Sequence, residues 1–437
     1  MKVERVGSAR VLRALRHRNY RLFFGGQTVS LIGSWITRVA TSWLVYRLTG
    51  SELLLGIVAF AGQIPLLLLA PFGGVLGDRL DRRRILVVTQ VLSALQSLAL
   101  AVLVFSDRIT VASLIALQVV QGIINAFDTP ARQAFVVEMV EEQADLPNAI
   151  ALNSSMFNVS RILGPTIAGL LIAAVGEGWC FLLDAISYVA VIASLLAMRF
   201  VPRQRASRQT HMFEELQAGL RYVIGFAPVA ALLLQVMLIS VMGMPYAVLM
   251  PVIAAKVLQG GPHTLGLLMT ASGAGALLAT GYLAARHTVL GLGKVIVVAT
   301  VALSAGLIAF SFSSTLVVSL AVLPIVGAGM MLQSAAANTI LQTIVDEKLR
   351  GRVMAFYTMA ILGTQPIGSL AAGALADRIG APHTILIGAM ACLLGGLWFA
   401  TRRKKLAEYV RPIYIERGIL PWEDEGTMEP VDVGRIR

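Results

Sequence analysis

Three ionisable residues stand alone in stretches that otherwise carry no charge. Arg38 is the one Asp, Glu, Lys or Arg in residues 22–46, Arg161 in 148–174, and Asp184 in 178–198. A guanidinium in apolar surroundings can attract an anionic substrate or pair with a carboxylate, and a lone carboxylate there can carry a proton. Each also has an ordinary reading. Arg161 could make a structural salt bridge or carbonyl contact, and Arg38 could reach back to a polar surface along its own aliphatic stem. Neutral polar residues, Gln63, Gln121, Asn125, Asn158, Gln235, Gln333, Asn338 and Gln365, punctuate similar runs. Singly, each reads as an interhelical hydrogen bond worth about 0.6 kcal/mol; as a set they suggest a polar pocket. Nothing here looks like an enzyme. His263, His287 and His383 are isolated, and there is no phosphate-binding loop of the GxxxxGK[ST] kind. Cys180 and Cys392 have neither metal nor redox spacing. The sequence therefore offers no catalytic residue, no metal site and no cofactor site, and a proton gradient is the expected energy source.

The elements that must hold these groups are membrane helices. The chain has 437 residues, 57% hydrophobic and 14% charged, where a globular protein has about 25% charged. Runs long enough to cross a hydrocarbon core of about 30 Å recur along its length. Spans are expected over 20–47, 53–77, 84–105, 110–128, 148–174, 178–198, 229–255, 263–285, 293–312, 315–341, 353–376 and 382–401. Counting loops alternately, Lys and Arg collect on one side; the other has Arg47, Arg108, Lys256 and Arg378. The positive-inside rule then places both termini in the cytoplasm of a bacterial inner membrane. The net charge of +12 is thereby assigned to orientation and to contact with lipid headgroups, not to nucleic acid.

The expected plan is all-α, with a basic arm (1–19), a six-helix bundle (20–198), a linker (199–228), a second six-helix bundle (229–401) and a tail (402–437). Apolar spacing over 211–224 suits an amphipathic helix on the membrane surface. The tail, with Pro412, Pro421 and an acidic patch, reads as weakly ordered. A faint internal repeat supports the division: Gly164-Pro165-x-x-x-Gly169 in the fifth span is echoed by Gln365-Pro366-x-Gly368 in the eleventh.

Between the second and third spans runs Gly74-x-x-x-Asp78-Arg79-x-Asp81-Arg82-Arg83. This resembles the loop signature of the major facilitator superfamily of transporters, with Asp81 where a second glycine is usual. The resemblance implies a fold of twelve helices in two pseudo-symmetric bundles, and a gate in which Gly74, Asp78, Arg79, Arg82 and Arg83 lock the cytoplasmic side. Asp78 would pair with Arg132; Asp128 and Arg132, four apart, could instead pair with each other. Gly164, Pro165 and Gly169 resemble the fifth-span signature of the superfamily's exporters, packing against the eighth span. The stretch from Asp128 to Ser154, with Tyr46 to Ser51, is similar to a bacterial branch of enterobactin exporters, macrolide efflux proteins and transmembrane secretion effectors. The superfamily's sixth span lies on the outside of the bundle, which would place Asp184 there, at shallow depth. The implied function is proton-coupled export, by a monomer, of a small amphipathic compound such as a drug, macrolide or siderophore. The alternatives are a lysophospholipid or other lipid transporter, and a membrane anchor or sensor that transports nothing.

Overall fold

The computed structural model describes residues 12–140, 142–199, 212–286 and 288–421. Eleven helices among these residues are long and apolar enough to cross a membrane. The twelfth long helix, Arg18–Thr49, has more polar residues and packs between two of the others. The spans are α1 (Arg18–Thr49), α2 (Glu52–Arg79), α3 (Arg82–Phe105), α4 (Val111–Met139), α5 (Leu146–Val175) and α6 (Glu177–Ala197) in one half. In the other half come α7 (Ala227–Val257), α8 (Pro262–Ala284), α9 (Leu292–Ser311), α10 (Leu316–Ile344), α11 (Leu349–Ile379) and α12 (Ala381–Glu416). No strand occurs among the described residues.

Local chemistry sets the ends of these helices. Ser51 caps α2 by accepting from the Leu54 amide, and Thr110 and Ser113 form a reciprocal capping box on α4. The α2–α3 turn needs no second glycine: Asp81 has φ −67° and caps α3 by accepting from the Arg83 amide. Its carboxylate does what a glycine could not. The internal repeat is visible in the connections. Thr110 and Thr315 cap the fourth helix of each half. Single glycines, Gly176 at φ 90° and Gly380 at φ 84°, join the fifth helix to the sixth; a side chain would be strained there.

The structure departs from expectation in three places. The fourth span does not stop at 128 but continues to Met139, so Asp128 and Arg132 stand on a helix wall. The tail is helical as far as Glu416. Leu406, Val410 and Ile413 there pack on the second half's own core, and that burial overrides Pro412. The linker helix, Met212–Gly225, rests on protein as well as facing outward. A Cβ on Gly219 would sit 3.0 Å from Phe356 of α11, and Tyr222 and Val223 join the second half's core, while Ile224 is exposed.

Three apolar clusters hold the molecule. One joins both halves at the ends remote from the termini, through Leu44, Leu55, Tyr246, Leu249, Leu265 and Ala376 among others. The other two are confined to one half each, at the ends nearer the termini. The halves thus share a core at one end and have separate cores at the other, so the cleft between them opens on the side of the termini. Two glycine seams close the shared end. On α5 and α8, a Cβ at Gly169 would lie 3.2 Å from the Gly266 Cα; on α2 and α11, a Cβ at Gly373 would lie 2.8 Å from the Gly56 Cα. Small residues here let backbones touch, which is what drives helix association in lipid. Glu52 of α2 and Lys256 of α7 add an ion pair of 2.8 Å across the same end.

Candidate translocation site

α1 is wedged between α5 and α6, with little slack on either side. A Cβ on Gly164 of α5 would come within 2.3 Å of the Trp35 Cβ, and one on Gly33 of α1 within 2.5 Å of the Ser187 Oγ of α6. Gly164 therefore serves the α1 contact, whereas Gly169 and the carbonyl of Pro165 meet α8. This fixed α1 presents Trp35 and Arg38 toward α5. The Trp35 ring meets Phe157 of α5 edge-on at 5.9 Å. The Arg38 guanidinium sits 4.7 Å over the Trp35 ring, a cation–π contact of about 0.5–2 kcal/mol.

Arg38 is exposed, eleven residues from the end of its helix. Its guanidinium is folded back over Trp35, one turn earlier in the helix and in contact with Phe157 of α5, and so does not reach away toward the membrane surface. Arg161, half-buried on α5, is close enough for the two charges to oppose each other, and Arg161 also acts on Tyr246 of α7. Tyr246 in turn hydrogen-bonds Ser272 of α8 across 2.7 Å. Among the described residues, no carboxylate is within ion-pair reach of either arginine. Arg38 and Arg161 are thus two positive charges with no carboxylate partner among the described residues, next to the aromatic surface of Trp35 and Phe157. α7 and α11, which flank the cleft, are interrupted by π-turns at Ile239–Gly243, Ile253–Val257 and Met359–Gly363, a feature that clusters at functional sites.

The neutral polar residues divide. Gln121 bonds Ser93 of α3 at 3.2 Å and Asn125 at 3.1 Å, so this pair faces the interior of its own half. Gln235, 1% exposed, reaches Thr300 of α9. Gln63 and Asn158 bond carbonyls of their own helices, Ala59 and Ser154. Gln333 is buried with its amide nitrogen unpartnered, and Gln365 is half-buried beside the α11 π-turn. Of the set, Gln121 and Gln235 reach a neighbouring helix, and the bonds among the described residues do not draw its members into one place.

Asp184 is not on the outside of its bundle. It is 1% exposed, accepting from Thr37 of α1 at 2.8 Å and Ser97 of α3 at 2.8 Å. Its neighbours on α3 form a feature the sequence reading missed. Thr89, Gln90, Ser93, Gln96 and Ser97 are all buried, whereas Val88, Val91, Leu92, Leu95 and Leu98 are exposed. The helix is inside-out, polar inward and apolar outward. Its signal was the spacing of polar residues at 89, 93, 96 and 97, the helical period read with its sign reversed.

At the termini end, Asp128 is buried, accepts from Thr89 at 2.9 Å and Gln90 at 2.8 Å, and pairs with Arg132 at 3.4 Å. Arg82 pairs with Glu138 at 2.8 Å. Arg83 donates to the carbonyls of Leu195 and Leu196, closing the C-terminus of α6, where a cation is favoured. The side chains of Asp78 and Arg79, at the end of α2 with Gly74 a turn before, lie outside the described residues. A second unforeseen cluster docks the N-terminal arm: Asp145, fully buried, takes Arg13 at 2.8 Å, Arg16 at 2.7 Å and His17 at 2.9 Å. Burial pushes its pKa up, but the His17 bond and the two arginine charges outweigh that and hold it below the ordinary value.

Two six-helix halves that share a core at one end and keep separate cores at the other have the plan of a membrane transporter. The family profile described as "Transmembrane secretion effector" matches residues 9–411, and the chain belongs to that family of the major facilitator superfamily. It is 30% identical to the multidrug efflux pump Tap of Mycolicibacterium fortuitum over 84% of this chain and 91% of that protein. It is 26% identical to the staphyloferrin A transporter of Staphylococcus aureus, over 88% and 97%, and 26% identical to macrolide efflux protein A of Streptococcus pyogenes, over 85% and 94%. Among solved structures, the nucleoside transporter NupG aligns with a TM-score of 0.65 at 15% identity, covering 89% of this chain and 99% of that one. A bacterial homologue of the lysosomal transporter Spinster aligns at 0.62 and 13%, covering 96% and 100%. These last two speak for the fold.

Proposed function

We propose that the chain is a proton-coupled exporter in the bacterial cytoplasmic membrane, working as a monomer by alternating access, and that its cargo is a small amphipathic compound with an anionic group. The observation that carries this is the pair Arg38 and Arg161, uncompensated beside Trp35 and Phe157 in the cleft. Two cations left without carboxylates are costly at membrane depth, and a substrate anion offsets that cost. The aromatic surface takes the apolar part of the same molecule. Relatives named for a siderophore, drugs and macrolides support export as the direction. With both termini in the cytoplasm, the cleft opens where cargo would be loaded. Gating belongs to Gly74, Asp78, Arg79, Arg82, Arg83, Asp128 and Arg132; the α5–α8 seam at Pro165 and Gly169 is the surface on which the halves rock, and Gly164 keeps α1 against α5.

The test is a panel of anionic, neutral and cationic amphiphiles exported from an efflux-deficient host, with and without a protonophore. Export of anionic members that stops on collapsing the gradient is expected. Arg161→Ala should raise KM for those members about tenfold, equivalent to ~1.4 kcal/mol. Equal handling of cationic and anionic members by both proteins would remove the arginines from the site.

A further inference from the structure

We propose that Asp184 is a proton-binding site of the N-terminal half, set behind the cleft and linked to it through α1. The inference rests on the reading of the chain as proton-coupled. Such a cycle needs a group that can bind and release a proton, and a carboxylate without a cationic partner is one.

Asp184 has the environment of a group that can be loaded and unloaded. Its Oδ2 accepts from the Thr37 and Ser97 hydroxyls, and the Ser187 hydroxyl lies 3.5 Å from Oδ1. No Lys, Arg or His is paired with it among the described residues. A cationic partner would hold the carboxylate in its charged form. Hydroxyls do not: each can donate to a carboxylate, or turn its own hydrogen away and accept from the carboxylic acid. One proton can therefore join Oδ2 or leave it while every heavy atom keeps its place.

The other charged and titratable groups nearby are accounted for. On α1, Arg38 follows Thr37 but faces the cleft. On α3, Gln96 and Ser97 are neutral. On α6, Tyr188 is one turn on and bonded to Ser34; Cys180 is one turn back and buried; Glu177 is held by Arg47 at 2.8 Å. From α4, Asp128 is reached past Tyr188 and is already held by Arg132.

The link to the cleft is mechanical. A Cβ on Gly33 would stand 2.7 Å from the Asp184 Oδ1, so α1 lies directly on the carboxylate. Thr37 binds it from the same face, and the next residue is Arg38. When Asp184 takes up a proton, Thr37 or Ser97 changes from donor to acceptor, and the charge behind α1 vanishes. The helix that presents Arg38 and Trp35 thereby feels the protonation state without any cleft group titrating.

The experiment is infrared difference spectroscopy of the full chain in lipid nanodiscs, titrated from neutral to acid pH. It needs no substrate. The wild type should show a protonated-carboxyl carbonyl band that grows on acidification. The band should be lost in Asp184→Asn, kept in Asp184→Glu, and shifted in Ser97→Ala, with all proteins monodisperse. Asn has nearly the same shape and keeps an acceptor for both hydroxyls, so the fold should survive. If Asp184→Asn is poorly folded, the Ser97→Ala shift alone carries the test. Identical titrations of wild type, Asp184→Asn and Ser97→Ala would overturn the proposal. Export that ignores a protonophore while the band persists would overturn proton coupling and leave the proton site standing.

Discussion

At the scale of single residues, charge placement decides most of what this chain can do. Asp145 shows how a buried charge docks a segment. Its carboxylate is held below the ordinary Asp value of about 3.9 by His17, Arg13 and Arg16 against the opposing effect of burial. A depressed folded-state value stabilises the fold above the unfolded-state value, and that contribution is lost as pH falls through the folded one. Asp145→Asn should therefore lower the melting temperature at pH 7 and leave it unchanged relative to wild type well below pH 4, measured by intrinsic fluorescence in detergent. It should also expose the arm to limited proteolysis after Arg13 and Arg16. Arg38 and Arg161 are the contrary case: among the described residues neither has a carboxylate partner, and Arg38 rests on the Trp35 ring instead.

At the scale of elements, glycine contacts decide which helices can touch. The α5–α8 seam brings Gly169 against Gly266, and a Cβ on Gly266 would come within 2.6 Å of the Pro165 carbonyl oxygen. That oxygen belongs to backbone and cannot swing away. Gly266→Val should cost about 1–3 kcal/mol by overpacking, seen as a lower melting temperature. It should abolish transport while the protein still inserts. Unchanged transport would mean that the seam does not have to re-form during the cycle. The inside-out α3 makes the same point from the polar side: its buried Thr89, Gln90, Ser93, Gln96 and Ser97 bind helices together where lipid supplies no hydrophobic drive.

At the scale of the molecule, one shared core and two separate ones make a cleft closed at the end remote from the termini. The Glu52–Lys256 pair lies at that closed end, with Lys256 half exposed, so its worth is about 0–1 kcal/mol. Glu52→Gln should shift the balance toward the oppositely open form by up to about fivefold. Spin labels on the α1–α2 and α7–α8 connections should then report a larger share of long distances. A distribution identical to wild type would show that the glycine seams alone hold this end shut.

The sequence by itself determined the class. Uncharged runs, their number and the one-sided basic residues specify membrane helices, because a continuous apolar run of about 20 residues fits the hydrocarbon core as a helix with its backbone bonded internally, not as the short alternating strand of a barrel. Gly74 to Arg83 pointed to the superfamily through local spacing alone, and Arg38, Arg161 and Asp184 stood out because nothing around them was charged. Only the tertiary structure decided which way each polar group faces. Gln121, Asn125 and Gln235 lie in the same kind of run as the cleft arginines, yet they turn toward neighbours within their own half. Asp184, expected on the outside, is enclosed by α1 and α3. The period of a helix gives the angle between its residues but not its rotation against its neighbours. In a membrane, where apolar side chains are at home both outward and inward, that rotation is set by glycine contacts and hydrogen-bond partners far away in the chain.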